Sequence, residues 1–264
     1  MQLSGKISIP VTWLVSILVL TSVAVAGETS MTERTLAADR IIKESFQAGT
    51  GLPVGKIQSV RGETDIFHRD LSTGYRAKTG LPLYQGDILR TRQNGRIFCR
   101  LVDGSTLTMA SGTELTLLQS TLNSARKSSQ SFLALKQGSV WFTVNPAPEL
   151  TIAEFKVETA IVFAQAHTAD FIVKAEPGRT EIINLEKSRL EVANLADPEA
   201  FYFLSDYQRA VVRPESAFPL IETVSPTDAE ALVSSLRLVP DIKWDTFNPS
   251  NYRAQDTAGV TPEE

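Results

Sequence analysis

Between Gly86 and Val144 one short phrase recurs, as QGDILRT, DGSTLTM and QGSVWFTV. In each copy a glycine follows Gln or Asp, precedes Asp or Ser, and leads into a run where apolar and polar residues interleave. Glycine tolerates the positive φ of tight turns, and alternation gives a strand one apolar face, so each copy reads as a turn feeding a strand. The glycines Gly86, Gly104 and Gly138 are 18 and 34 residues apart, the second interval close to twice the first. A unit of about 17 to 18 residues has the length of two short strands and two turns. The predicted fold class is therefore all-β, with stacked short antiparallel hairpins in a β-roll or β-solenoid-like arrangement. An ordinary antiparallel protein with glycine at its hairpins is the competing reading.

Further turn signals crowd the same stretch. Asn94-Gly95 separates ILRT from RIFCRLV, and Asp103-Gly104 follows RIFCRLV. Both predict two-residue type I′ hairpins, in which the two central residues take positive φ. Gly86, Asp87, Asn94, Gly95, Asp103, Gly104, Ser105 and Gly138 are thus the predicted structural turn set. Upstream, Val54, Ile57, Val60, Thr64 and Ile66 read as a strand pair turning near Gly62. Residues 120–131, STLNSARKSSQS, are polar without periodicity and predict a solvated loop, with Arg126 and Lys127 as plain surface. Short apolar runs then continue the strand pattern: FLALKQGSVWFTV, residues 154–158, IVFAQA, ADFIVKA, TEIINLE, RLEVANL, FYFLS and QRAVVRP.

The two ends of the chain read differently. Residues 1–26 carry Lys6, an apolar run, and Ala24-Val25-Ala26 ahead of Gly27, which is the pattern of a signal peptide cleaved after Ala26. A signal anchor is the alternative, since residues 7–26 match the roughly 20 residues that span a bilayer. Residues 27–52 predict a helix or linker, with Thr32 as cap, Leu36, Ala37, Ile41 and Phe46 near one stripe, and Gly49 and Gly51 as its stop. The β domain is expected over residues 53–222. A second helix is expected over residues 223–240, capped by Ser225, with Pro226 at its first position and Asp228 and Glu230 near its positive end. Residues 241–264 are polar, with Trp244 and Phe247 isolated among them, and predict a disordered tail.

Charge and side-chain chemistry narrow the function classes. A net charge of −4 and scattered basic residues argue against nucleic acid as a partner, which needs a basic face to displace counterions. One cysteine allows no internal disulfide, and Cys99 shares one face with Ile97 and Leu101 at period two, as a buried hydrophobe would. The two histidines, His68 and His167, lie far apart in sequence, and no G-x-S-x-G elbow surrounds a serine. No catalytic residues, no metal site and no cofactor are predicted. Asp87 and Asp103 are the best placed for a carboxylate pair, yet both sit where aspartate is expected as a turn residue. Trp141, Phe142, Tyr202 and Phe203 are the aromatics that a carbohydrate-binding face would use. Trp141 and Phe142 point to opposite sides of one strand.

The succession LPLYQGDILRTRQNGRIFCRLVDGSTLTMASGTELTL, then LALKQGSVWFTV and FKVETAIVFAQAHTADFIVK, resembles the FecR domain, the periplasmic module of FecR-type sigma-factor regulators. The resemblance runs from Gly55 to Val192 and rests on G-D-x-L-x-T at residues 86–91, D-G-S at 103–105 and L-x-x-G-x-V-x-F-x-V at 135–144. Toward its end the pattern departs from the family, with His167 in place of a glycine before Thr168, and Glu186-Lys187 in place of Glu-Gly. The resemblance implies a periplasmic module that binds a protein or envelope component in signalling or assembly, without chemistry of its own. Complete regulators carry a cytoplasmic anti-sigma segment ahead of one membrane helix, and only about ten residues precede the apolar run here. A freestanding form of the sensor half is therefore expected. A structural module binding carbohydrate or peptidoglycan is the second class, and a membrane-anchored sensor the reading if residues 1–26 stay attached. The binding residues are not indicated. An exposed strand edge would supply backbone donors and acceptors for an incoming strand.

Overall fold

Period-two alternation sorts the chain onto two stacked sheets with one apolar layer between them. The computed structural model describes residues 41–68, 73–145, 149–186, 189–216 and 219–238, which fall in one compact unit, Arg40–Glu264. In chain order the strands are β1 (Ile41–Lys43), β2 (Gly55–Arg61), β3 (Thr64–His68), β4 (Thr73–Arg76), β5 (Pro82–Leu83), β6 (Asp87–Thr91), β7 (Arg96–Leu101), β8 (Thr106–Met109) and β9 (Glu114–Asn123). They continue as β10 (Ser128–Val144), β11 (Ile152–Glu158), β12 (Val162–Ala166), β13 (Ala169–Glu176), β14 (Arg179–Glu186), β15 (Leu190–Asn194), β16 (Asp197–Leu204), β17 (Gln208–Val212) and β18 (Leu220–Thr223), before helix α1 (Pro226–Leu236). The chain is mostly β.

The first sheet runs β1-β4-β3-β6-β9-β10-β11-β12-β15-β16. The second runs β5-β2-β7-β8-β10-β13-β14-β17-β18. Only β1–β4 and β10–β11 are parallel pairs among these. The sheets share β10, which is 17 residues long: its first half pairs with β9 and β11, its second with β8 and β13. The inward residues change parity across that strand, from Leu133 and Leu135 to Val140, Phe142 and Val144. A register shift between Leu135 and Gln137, with Gly138 at φ 94°, produces the change, as a bulge does. A Cβ on Gly138 would lie 2.5 Å from Thr113 Cα, so only glycine fits this bend.

Gly138 is therefore not a turn before a strand but a bend inside one. Asn94-Gly95 is also corrected: neither residue has positive φ, and β6 and β7, which it joins, lie in different sheets. The segment is a corner. Gly95 is required because a Cβ there would come 2.0 Å from the Glu63 carbonyl oxygen. Gly62 likewise joins strands of different sheets, β2 and β3, rather than a hairpin. The β7–β8 hairpin does form, but its loop is three residues with only Gly104, at φ 92°, in the left-handed region. Gly104 N–H donates to Leu101 O and Leu101 N–H to Ser105 O, the pattern of a type I turn with a glycine bulge. Gly86, at φ 88°, turns the chain into β6.

Residues 120–131 are not a loop. β9 and β10 extend through them as one long hairpin turning at residues 124–127. Ser129 and Ser131 are buried on its inner face, and the Ser131 hydroxyl donates to Asp103 Oδ2 at 2.7 Å and lies 2.9 Å from Ser120 Oγ. Small hydroxyls replace the apolar residues expected there, and those of Ser120 and Ser131 have partners.

The helix read over residues 27–52 is overturned where the structure describes it, since Ile41–Lys43 is a strand and residues 44–51 form no helix. Two adjacent isoleucines stack better on a pleated edge than in a helix. At the other end Ser225 Oγ accepts the Asp228 N–H at 3.1 Å and caps α1, which lays Ala229 and Leu236 on Ile172, Ile183 and Leu185. The predicted signal peptide over residues 1–26, residues 27–40 and the tail from residue 239 lie outside the described residues. Among the described residues no helix is long and apolar enough to cross a membrane.

Candidate functional site

Two-sheet stacks end in edge strands, and an edge exposes unpaired backbone groups unless something covers it. The end where the described chain begins is closed only in the sense that its edge strands are short and fastened: among the described residues β1 and β5 each have a neighbouring strand on one side only, and Ile41 on β1 is 61% exposed. β5 is two residues long and contains Pro82, which has no N–H to offer. β1 lies beside β4, pairing Ile41, Ile42 and Lys43 with Thr73, Gly74 and Tyr75. The arm that follows β1 is fastened by His68. Its Nδ1 lies 2.7 Å from Asp87 Oδ1 and its Nε2 2.8 Å from the Gln47 carbonyl oxygen. A carboxylate and a carbonyl are both acceptors, so an imidazolium donating from both nitrogens satisfies the arrangement. Burial by itself lowers the His68 pKa, but the Asp87 hydrogen bond and charge, with the Gln47 carbonyl, more than reverse this, and the net shift is upward. Phe46, Tyr75 and Tyr84 pack their rings around the imidazole, with centroids 5.3 to 5.6 Å apart.

The predicted turn residues supply this fastening and the turns of the central strands. Asp87 is buried; its second oxygen accepts the Tyr84 N–H at 2.8 Å. Thr91, the threonine of the G-D-x-L-x-T phrase, donates its hydroxyl to Ala110 O at 2.6 Å and accepts the Thr113 N–H at 2.8 Å. Asp103 accepts the Ser105 N–H at 2.9 Å. Asp87 and Asp103 thus hold separate turns and do not share a site. Asn94 accepts the Glu63 N–H at 3.4 Å across the corner. Cys99 is fully buried, and burial pushes its thiol pKa far up. His167 lies at the surface with Nδ1 2.9 Å from the Ala153 carbonyl oxygen. Among the described residues no group of three or more His, Cys, Asp or Glu is placed to hold a metal.

The opposite end is open. Among the described residues β16 has a neighbouring strand on one side only, β15, and β18 only β17. Large apolar side chains are exposed there: Leu220 at 55%, Phe201 at 48% and Phe203 at 40%. Phe201 and Phe203 meet edge to face at 5.3 Å, and the Arg189 guanidinium sits 3.4 Å above the Phe203 ring. Cross-strand pairing places Phe163, Ala193 and Phe201 in one row on the outer face, and Lys156 Nζ lies 4.0 Å from the Phe163 ring centre. An apolar patch beside an unpaired strand edge is the setting in which a partner strand is added. Of the four aromatics read from sequence, Phe203 is here, Tyr202 is half-buried beside it, Phe142 is in the core, and Trp141 is on the outer face of the second sheet. Phe201 and Leu220 were not indicated by the sequence, because what makes them notable is their place at an edge.

A comparison with curated proteins returns no match. Two crystal structures of a proposed anti-sigma factor from Parabacteroides distasonis ATCC 8503 are similar, each at 16% identity and a TM-score of 0.45. The similarity covers 55% of this chain and 64% and 63% of those chains, so this chain spans less than two thirds of their length. The family model described as FecR protein matches residues 87–187, from the first residue of β6 to just beyond β14. That span holds β10 and the three glycine phrases, apart from the Gln85-Gly86 that opens the first, and the chain accordingly carries a FecR domain over residues 87–187.

Proposed function

We propose that this chain is a non-catalytic binding module of envelope signalling or assembly, exported to the periplasm with cleavage after Ala26, that takes a protein partner at its open end. The observation that carries the reading is the pairing of two one-sided edge strands, β16 and β18, with exposed Phe201, Phe203 and Leu220. A partner strand added to either edge would gain main-chain hydrogen bonds, and the aromatic patch would select its side chains. The FecR match and the regulatory character of that family support a role in signalling. No cofactor is assigned, and nucleic acid is not the expected partner of a chain of net charge −4.

Cross-linking of the tagged protein in its own cells, after fractionation, tests this. The expected result is soluble periplasmic protein attached to an envelope protein, with the attachment lost in a Phe201→Ser, Leu220→Lys double variant. Attachment that survives the double variant would move the interface elsewhere. Recovery at full length in the inner membrane would make residues 1–26 an anchor and the chain a membrane-held sensor.

A further inference from the structure

Helix α1 ends above the second sheet, and the chain leaves it beside a groove. Arg96 donates to the Ser235 carbonyl oxygen at 2.6 Å, which fastens the last turn of the helix over β7. The Arg237 N–H closes that turn on Val233 O at 2.8 Å. Arg237 and Leu238, the last described residues, then form one wall of a groove of about 420 Å³. Its floor is one cross-strand row on the outer face of the sheet, Phe98, Thr108 and Trp141. Asp170 accepts the Trp141 indole N–H and the Thr143 hydroxyl, which fixes the indole in place.

Phe98 points away from the layer between the sheets, because its neighbours Ile97 and Cys99 point into it. It belongs to neither apolar cluster of the fold, yet it is only 8% exposed. Ser59, directly opposite it on β2, and Arg100, two residues on, are each engaged by a partner. This outward face therefore has the character of a covered surface. The sequence that follows Leu238 suits the cover. Pro240 cannot continue the helix and holds Val239 extended, so the chain turns off at the groove. In an extended segment Pro240, Ile242 and Trp244 share one side, and Asp241, Lys243 and Asp245 the other. Trp244 is six residues beyond Leu238, within a reach of about 20 Å. β7 and β8 have strands on both sides, so such a segment would attach through its side chains and not by joining the sheet. Large apolar side chains facing an aromatic floor supply that attachment. We propose that residues 240–245 dock on the groove of their own chain, with Ile242 and Trp244 against Phe98 and Trp141, as a strap that holds the end of α1 on the second sheet.

Limited trypsin digestion of the full chain tests this by comparing cleavage after Lys243, inside the strap, with cleavage after Arg253, beyond it. A synthetic peptide of residues 239–264, carrying the same substitution where there is one, supplies the intrinsic ratio of the two rates. In the folded chain the Lys243 cut, relative to the Arg253 cut, should be about tenfold slower than in the peptide. Trp244→Ser should remove that protection with unchanged circular dichroism. Thr106→Arg, which fills the groove from a half-buried position, should remove it as well. Equal relative rates in chain and peptide, or protection kept in either variant, would overturn the proposal. Protection that falls on dilution would assign the segment to the groove of a second copy and overturn docking within one chain. Phe201→Ser should leave the Lys243 rate unchanged; loss of protection in that variant would place the segment at the open end instead.

Discussion

The two ends of the sheet stack contain strands of similar chemistry and finish them in opposite ways. At one end the edges are a two-residue strand with a proline and a three-residue parallel arm, fastened by a histidine held between two acceptors. At the other, two edge strands stop with phenylalanines and a leucine in solvent. The edge strands of both ends lie outside the span that matches the FecR family, residues 87–187, although Asp87, which holds His68, is its first residue. An edge protected by specific side chains is a matter of solubility, whereas an edge left apolar is a matter of contact.

The strongest way to break the comparison is to break the strand common to both sheets. Gly138→Val would place a β-branched side chain at φ 94° and against Thr113, and should cost more than about 3 kcal/mol in urea unfolding. A loss below about 1 kcal/mol would mean that the bend relaxes and the ends are not coupled through it. Next, Asp87→Ala leaves the buried Tyr84 N–H and the His68 ring without their acceptor, with an expected loss of about 3 kcal/mol. A near-neutral result would show that the closed end is held by its aromatic packing alone.

The pH dependence sharpens the same contrast. The folded-state pKa of His68 lies above the unfolded value of about 6.5. Its contribution is therefore complete below the unfolded pKa and fades as pH rises through the folded one. The difference in urea midpoint between the natural chain and His68→Gln should be largest in mild acid and shrink toward alkaline pH. A constant gap would show that the proton is not involved. The smallest effects belong to the open end: Phe203→Ser and Glu222→Gln should each change stability by no more than about 0.5 kcal/mol, although Glu222 pairs with Arg209. A larger loss at Phe203 would make that patch part of the core.

Alternation made the strands legible, because Ile97, Cys99 and Leu101, or Val140, Phe142 and Val144, mark an inner face without further help. Gly86 and Gly104 were legible as turns for the same local reason. Asn94-Gly95 was not, since a glycine needed for close approach of another segment looks the same in sequence as one needed for positive φ; Gly138 does take positive φ, but a bend inside a strand looks the same in sequence as a turn before one. The hairpin through residues 120–131 escaped notice because its inward positions are serines, of which Ser120 and Ser131 bond each other and Ser131 bonds Asp103. The arm at Ile41–Lys43 looked helical because its partner, β4, lies 30 residues away and local spacing carries no sign of it. The candidate sites depend on which strands end up at an edge or beside a helix end, and that is a property of topology.

The arm also has a mechanical consequence. Residues 41–52 are joined to the rest by three paired residues, by Glu44 contacts with Arg76 and Lys78, and by the contacts around His68. A pull on the chain ahead of Ile41 would load this joint first, and its release would pay out up to about 40 Å of extended chain before any sheet strand yielded. The closed end is in that sense a short extensible joint, able to lengthen under load while the sheets stay intact.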